Sequence, residues 1–210
     1  MEKKYILFDN DGVLVETEMW YYQANKDILQ SVGITLDFDT YQKIMVRGGT
    51  AWELAQDRGY SATKIDKLRE KRDELYQHFI QTKNIEIEGV KDTLEQLKKR
   101  YKMAIITTAR RVDFELIHKN RGIADFMDFV LCVEDYKRAK PFPDPYLAGL
   151  EKFHAKKEET IVVEDSQRGL DSAYKAGIDC IIVKNEFTKS HNFEKAKYFI
   201  NKFEDLKKLL

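Results

Sequence analysis

The sequence predicts an α/β protein with a doubly wound parallel sheet as its core and a helical domain inserted into that core. Two patterns lead to this prediction. Short apolar runs alternate with amphipathic helical segments through most of the 210 residues, and one long stretch after the first run shows helical patterns only. Strands buried on both faces of a parallel sheet produce such continuous apolar runs, and helices supply the crossovers between them.

The predicted strands are too short and too continuous for amphipathic helices, and the later ones are rich in Val and Ile. Five runs are clear, at residues 5–8, 103–106, 129–133, 160–163 and 180–183, and a weaker sixth follows at 198–200. Apolar residues recur at helical spacing over 90–101, 112–120, 146–154 and 167–176. Gly177 follows the last of these segments as a helix terminator.

The insertion shows no convincing strand. Its predicted elements are a helix at 18–32, a short helix capped by Asp37 or Asp39 and running through Met45, and a long, highly charged helix at 62–82. A helical insertion directly after the first strand is typical of a cap domain. We therefore predict a core domain formed by residues 1–15 and 86–210 and a helical cap domain formed by residues 16–85.

The composition excludes several functional classes. Lys plus Arg equals Asp plus Glu at 36 each, so no net charge favours nucleic acid or an anionic membrane. The first residues lack a signal-peptide core, and no stretch approaches the roughly 18 apolar residues of a membrane helix. Cys132 and Cys180 lie in apolar runs, as small buried hydrophobic residues do. We expect a reduced, cytoplasmic protein, with a monomer as the default state.

Two carboxylates, Asp9 and Asp11, follow the first predicted strand in a turn that contains Gly12. Residues spaced by two leave a strand in the same direction, and like charges brought close repel unless a cation or a shared proton separates them. Mg²⁺ suits such a pair together with phosphate oxygens. An ordinary polar turn has the same composition. On this segment alone the two interpretations are equally good.

Polar side chains also follow other predicted strands. Thr107 ends the second run, Glu164 and Asp165 end the fourth, and Lys140 lies in a proline-stiffened loop after the third. The ligand crevice of an open parallel sheet lies outside the carboxyl ends of its strands, so these groups should converge with Asp9. Each of them alone is an unremarkable strand-end, loop or helix-cap residue. Together they form a set suited to a metal ion and a phosphoryl group.

Four segments in this order carry a family resemblance: 9–18 (DNDGVLVETE), 105–108 (IITT), 137–144 (KRAKPFPD) and 162–166 (VVEDS). They closely resemble the four motifs of the haloacid dehalogenase superfamily of phosphatases. The insertion resembles the helical cap of the β-phosphoglucomutase-like branch. The resemblance spans nearly the whole chain and implies a Rossmann-like core.

The resemblance implies a mechanism. Asp9 would attack phosphorus to form an aspartyl-phosphate, and Asp11 would protonate the leaving oxygen and then activate water. It implies Mg²⁺ held by Asp9, the backbone carbonyl of Asp11 and Asp165, with Glu164 as a nearby or alternative ligand. Thr107 and Lys140 would bind the phosphoryl oxygens, and we expect Thr108, Ala109 and Arg110 to add phosphate contacts.

Several residues bear on the branch within the superfamily. Dehalogenases resemble this pattern without the second aspartate, so Asp11 argues against that activity. The cap histidine and arginine of β-phosphoglucomutases would fall at Tyr21 and near Ala51, and both are absent. The cap loop Arg47-Gly48-Gly49-Thr50 is the best candidate for reaching the substrate, although a simple helix-ending turn explains it equally well.

We therefore predict a magnesium-dependent phosphatase acting on a small phosphorylated metabolite. Sugar phosphates, phosphoglycolate, nucleotides and pyrophosphate all remain possible substrates. A phosphosugar mutase is the first alternative. The others are a non-catalytic protein that binds a phosphorylated ligand and a receiver-like protein, although a receiver lacks a helical insertion after its first strand.

Overall fold

The computed structural model describes residues 2–210, and these residues form two compact units. The first, called the sheet unit here, combines the residues up to Glu16 with Glu86–Leu210. The second, called the helical unit, is Thr17–Ile85. The predicted α/β class with a doubly wound parallel sheet is confirmed.

The sheet has six parallel strands in the order β3-β2-β1-β4-β5-β6. They are β1 Tyr5–Phe8, β2 Lys102–Ile106, β3 Phe129–Leu131, β4 Thr160–Glu164, β5 Asp179–Val183 and β6 Tyr198–Ile200. Phe8 in the central strand pairs with Ile105 on one side and Val163 on the other. The residues that follow these positions therefore lie at one edge of the sheet.

The third strand is shorter than the predicted run 129–133. It ends at Leu131, and Val133–Asp135 form a single 3-10 turn. The carboxylate of Asp135 accepts a hydrogen bond from the backbone N–H of Cys132 at 2.7 Å, which caps this turn and ends the strand. Cys132 is fully buried, so its apolar character reflects packing rather than sheet pairing.

Helices flank the sheet, and four of them lie on the sequence stretches predicted for them, whereas the last along the chain was not predicted. They are α5 Val90–Leu97, α6 Arg111–His118, α7 Asp144–Phe153, α8 Gln167–Lys175 and the short α9 Leu206–Leu209. Their apolar side chains pack on strand residues such as Leu7, Ile106 and Val162, all fully buried. Gly149 of α7 lets this helix approach the sheet closely, since a Cβ there would lie 3.0 Å from Leu7.

The helical unit contains α1 Glu18–Gln30, α2 Phe38–Val46, α3 Glu53–Asp57 and α4 Ala62–Thr82. Asp37, not Asp39, caps α2, because its carboxylate accepts a hydrogen bond from the N–H of Thr40 at 2.8 Å. The short helix α3 was not predicted. Trp52 and Tyr41 are the largest buried side chains of this unit.

The composition led to one prediction about Cys132 and Cys180, that they are buried, and to another about membrane-spanning segments. Both cysteines are buried free thiols. No helix within residues 2–210 is long and apolar enough to cross a membrane.

Candidate active site

The turn after β1 presents the two aspartates. The N–H of Asp9 donates to the carbonyl of Val163 at 2.9 Å, which ties the start of the turn to β4. Gly12 has φ +74°, and a Cβ at this position would lie 2.1 Å from Oδ2 of Asp165. Gly12 is required here on two grounds: the left-handed backbone conformation and the close approach of Asp165.

Lys140 lies at the centre of the buried charges. Its ammonium group contacts Oδ1 of Asp9 at 2.8 Å and Oε1 of Glu164 at 2.7 Å, and it donates to the carbonyl of Ile106 at 3.0 Å. Only 2% of its side chain is exposed. Because three acceptors surround the ammonium, its position is determined by the ends of three strands.

Glu164 is fully buried and heavily hydrogen-bonded. Tyr146 donates its hydroxyl hydrogen to Oε1 at 2.7 Å, the oxygen that also contacts Lys140. The other oxygen accepts from Oγ of Ser166 at 3.1 Å. Gly169 leaves room for this carboxylate, since a Cβ there would lie 1.8 Å from it. The carboxylate is thus held in one orientation toward Lys140.

Burial and neighbouring charges shift the pKa values of these groups. Burial, followed by the charge of Glu164, raises the pKa of Asp9 to about 7, although Lys140 opposes this rise. Burial also works to raise the pKa of Glu164, but the ammonium of Lys140 lowers it below its ordinary value. Burial works to lower the pKa of Lys140, whereas Asp9 and Glu164 raise it above the ordinary value. The lysine is therefore firmly charged.

Thr107 lies beside Asp11. Its hydroxyl donates to Oδ2 of Asp11 at 3.3 Å and accepts the N–H of Ala109 at 3.0 Å. Tyr136 donates to the backbone carbonyl of Thr107 at 2.6 Å. The second strand therefore ends in a braced turn that carries a hydroxyl next to the second aspartate.

The acidic groups at this edge fit a hard cation. Ligand oxygens of Asp9, Glu164 and Asp165 all lie within 4.8 Å of one another, and all three residues are buried. One ammonium group, that of Lys140, offsets only part of this negative charge. Oxygen ligands of this kind are those that Mg²⁺ prefers.

Two further predicted contacts after β2 have partners of their own. The hydroxyl of Thr108 lies 3.5 Å from the guanidinium of Arg168, a weak interaction at most. Arg110 makes a two-point contact with Asp113, at 2.7 and 3.0 Å. A phosphate contact from Arg110 would have to compete with that carboxylate.

The predicted cap loop lies in the helical unit. Arg47 forms an ion pair with Glu53, and the same carboxylate accepts the N–H of Thr50 at 3.0 Å. Gly48 has φ +77°, and a Cβ at Gly49 would lie 2.4 Å from Glu53. The two glycines thus allow the loop to fold around Glu53, which neutralises the arginine.

Sequence reasoning missed several polar partners of the site. Asn185 donates to Oδ2 of Asp165 at 2.9 Å and accepts from the N–H and the hydroxyl of Thr188, both at 2.9 Å. Asn185 lies two residues after β5, so the strand-end rule applied to that strand would have found it. Tyr146 lies inside α7, and no local pattern marks it as a partner of Glu164.

The helical unit also buries a cation, which sequence reasoning did not single out within the charged helix α4. Arg72 donates to Oδ1 of Asn25 at 3.1 Å and pairs with Asp73 at 2.8 Å. Its guanidinium lies 4.5 Å from the ring centroid of Tyr21, a cation–π distance.

Comparison with protein families identifies the family of this chain. The family model described as haloacid dehalogenase-like hydrolase matches residues 6–183. The chain belongs to this hydrolase family. The predictions of the superfamily and of an enzyme are thereby confirmed. The matched span contains all four motifs on which the resemblance was based.

Two phosphatase relatives are similar in sequence over most of this hydrolase. Pyrophosphatase PpaX of Bacillus mycoides is 28% identical over an alignment 230 residues long, which covers 98% of this chain and 95% of that protein. The phosphorylated carbohydrates phosphatase of Thermotoga maritima is 29% identical over 183 residues, covering 84% and 82%.

Solved structures support the same fold. CbbY of Rhodobacter sphaeroides, in complex with xylulose-(1,5)-bisphosphate, has a TM-score of 0.84 at 22% identity and covers 97% of this chain and 96% of its own. The β-phosphoglucomutase of Clostridium difficile has a TM-score of 0.79 at 22% identity, covering 98% and 93%.

Proposed function

We propose that this hydrolase is a magnesium-dependent phosphatase that cleaves a small phosphorylated metabolite through an aspartyl-phosphate on Asp9. One observation carries the proposal. The carboxylate of Asp9 lies 2.8 Å from the buried ammonium of Lys140 and within 4.8 Å of the carboxylate of Asp165. A nucleophile between a fixed cation and a set of metal-binding oxygens suits attack on an anionic phosphoryl group.

In the proposed first step, an oxygen of Asp9 attacks phosphorus and the bond from phosphorus to the ester oxygen breaks. Asp11 gives its proton to that leaving oxygen, which departs as an alcohol. In the second step, water attacks the aspartyl-phosphate and Asp11 takes its proton. Inorganic phosphate leaves, and the Asp9 carboxylate is restored.

The residues proposed to hold Mg²⁺ are Asp9, Asp165 and the backbone carbonyl of Asp11, with Glu164 as a further ligand. When bound, the ion would offset the negative charge of the phosphoryl group and of the clustered carboxylates. Lys140 keeps Asp9 in place, and Glu164 keeps Lys140 in place.

Thr107 and Lys140 are the proposed donors to the phosphoryl oxygens. The hydroxyl of Thr107 is directed toward Asp11 by the N–H of Ala109, so it lies on the side from which the leaving group is protonated. We propose that the helical unit, Thr17–Ile85, is the cap domain predicted from the sequence. The names of the relatives, a pyrophosphatase and a phosphorylated carbohydrates phosphatase, favour small phosphorylated compounds as substrates.

The test is turnover of p-nitrophenyl phosphate and of a panel of phosphorylated metabolites, with Mg²⁺ and with EDTA. We expect steady turnover that requires Mg²⁺. Asp9→Asn should lower kcat at least about 1000-fold, as expected for loss of a nucleophile. Asp171→Asn is the matched control, because Asp171 lies on α8 and pairs with Lys195 at the surface. Wild-type turnover by Asp9→Asn would refute the proposal.

A further inference from the structure

A buried hydrogen bond links the catalytic turn to α6. Nε2 of His118, the last residue of that helix, lies 2.7 Å from Oδ1 of Asn10. Asn10 is fully buried, and His118 is only 8% exposed. Asn10 stands between Asp9 and Asp11 in the sequence, and its side chain contacts the helix that follows β2.

This pair leaves polar atoms unsatisfied. Within residues 2–210, neither Nδ2 of Asn10 nor Nδ1 of His118 has a hydrogen-bond partner. Burying such atoms destabilises a folded protein, and packing alone would favour an apolar pair at these positions. Asn10 and His118 lower the stability of the fold in this way and lie next to Asp9 and Asp11, which indicates a functional constraint on the pair.

Asn10 also organises the turn through its backbone. Its carbonyl accepts N–H groups from Val13 at 3.3 Å, Leu14 at 2.8 Å and Val15 at 3.2 Å. A change in the backbone conformation of Asn10 would therefore displace the three residues that its carbonyl holds. The side-chain bond to His118 joins Asn10 itself to α6, beside the contacts that Asp9 makes with Val163 and Lys140.

The protonation state of His118 is consistent with an anchor. Burial, followed by the positive charge of Arg121, lowers the pKa of His118 to about 4. The ring is neutral near pH 7. It donates one hydrogen from Nε2 to Asn10 and leaves Nδ1 bare.

We propose that His118 is a positioning residue for the reaction, which through Asn10 fixes the turn that carries Asp9 and Asp11. This rests on the proposed function. His118 touches none of the reacting atoms in this proposal. It restricts the orientation of the nucleophile relative to the acid, and of both relative to the metal-binding oxygens.

The test compares His118→Phe with His118→Gln. Phenylalanine keeps an aromatic ring against Phe114, whose ring centroid lies 4.4 Å from that of His118, but it has no donor. Loss of an outer partner of this kind typically changes activity or metal affinity about 10- to 100-fold. We expect His118→Phe to lower kcat and raise the half-saturating Mg²⁺ concentration within that range, with KM nearly unchanged. Glutamine can donate to Asn10 and should restore most of both.

Two further variants separate positioning from packing. Phe114→Leu disturbs the ring contact and keeps the donor, so it should lower thermal stability without changing kcat. Asn10→Ala removes the acceptor, and adding it to His118→Phe should cause little further loss if the two residues act as a unit. Asn10→Ala also decides the question by the same readouts if His118→Phe does not fold.

The outcomes are distinguishable. An inactive wild-type protein would overturn the proposed function itself. An active wild type, together with a folded His118→Phe variant of unchanged kcat and Mg²⁺ dependence, would overturn only the positioning role. A His118→Gln variant as impaired as His118→Phe would also contradict it, because the donor would then be irrelevant.

Discussion

Among residues 2–210, Lys140 of the sheet unit and Arg72 of the helical unit are both buried cations, and they are held in different ways. Lys140 of the sheet unit contacts the carboxylates of Asp9 and Glu164, which follow or end separate strands. Arg72 of the helical unit pairs with Asp73, its neighbour in sequence, and lies over the ring of Tyr21. The first arrangement gathers more negative charge than one ammonium balances, whereas the second is balanced locally. Buried like-charged groups held close together are characteristic of functional sites.

The largest effect is expected at Lys140. Lys140→Met leaves two buried carboxylates without their cation, and breaking a buried ion pair on one side costs about 3–5 kcal/mol of unfolding free energy. Urea denaturation in EDTA measures this loss, and we expect kcat to fall with it. Lys175→Met is the matched control, since Lys175 is exposed, donates to the carbonyl of Pro141 and lies over the ring of Phe142. A Lys140→Met variant as stable as the wild type would remove the contrast between the two units.

A second effect concerns His118, whose buried ring remains neutral in the folded state. Its pKa is about 4 there, against an ordinary 6.5. The unfolded chain therefore binds a proton that the folded chain does not, so this contribution to stability is present above pH 6.5 and is lost as the pH falls toward 4. The loss amounts to up to about 3 kcal/mol.

The measurement is urea denaturation of the wild type and His118→Gln at pH 7 and pH 4.5. Other groups titrate equally in both proteins, so the difference between them isolates His118. We expect the wild type to lose more stability on acidification than the variant does. Equal losses would mean that His118 takes up its proton without leaving its buried position.

The candidate site shows which parts of a structure a sequence can predict. Asp9, Thr107 and Glu164 were found because each follows or ends an apolar run, and parallel strands bring their carboxyl ends to one edge. That rule requires only local patterns and the alternation of strand and helix. Lys140 was found from its proline-stiffened loop and from the resemblance to the family.

Other features depend on contacts between distant segments. The hydrogen bond between Asn10 and His118 joins residues 108 positions apart, and no local sequence pattern around either residue predicts it. The helix α3 was missed because five residues are too few to show a helical period. Arg72 looked like one of many charges on α4, and its buried contacts with Asn25 and Tyr21 distinguish it.

A third, smaller effect tests the helical unit. Arg72→Met removes the hydrogen bond to Asn25 and the cation–π contact with Tyr21, which together should lower the unfolding free energy by about 2 kcal/mol. Arg69→Met, three residues earlier on α4 and paired with Asp66, is the surface control and should change it by less than about 0.5 kcal/mol. Urea denaturation resolves the two. Equal effects would mean that the burial of Arg72 adds nothing to stability.

The smallest effect is expected at Asn185, and it tests whether the negative charge of the sheet unit is organised around a cation. Asn185 orients Asp165 with a 2.9 Å hydrogen bond, and Thr188 in turn holds Asn185. Asn185→Ala should raise the half-saturating Mg²⁺ concentration about 10-fold while kcat at saturating Mg²⁺ stays near the wild-type value.

Two control variants change the contact between Asn185 and Asp165 to different extents. Thr188→Val removes one of the two hydrogen bonds to Oδ1 of Asn185 and keeps the backbone N–H, so its effect on Mg²⁺ dependence should be smaller. Asn185→Asp places a second negative charge beside Asp165 and removes the N–H group that donates to Asp165. In the metal-free protein it should destabilise the fold more than alanine does, because like charges repel. Mg²⁺ should recover part of that loss. If Mg²⁺ recovers none of it, Asp165 does not belong to the metal site, and the excess charge must be explained by the carboxylates around Lys140 alone.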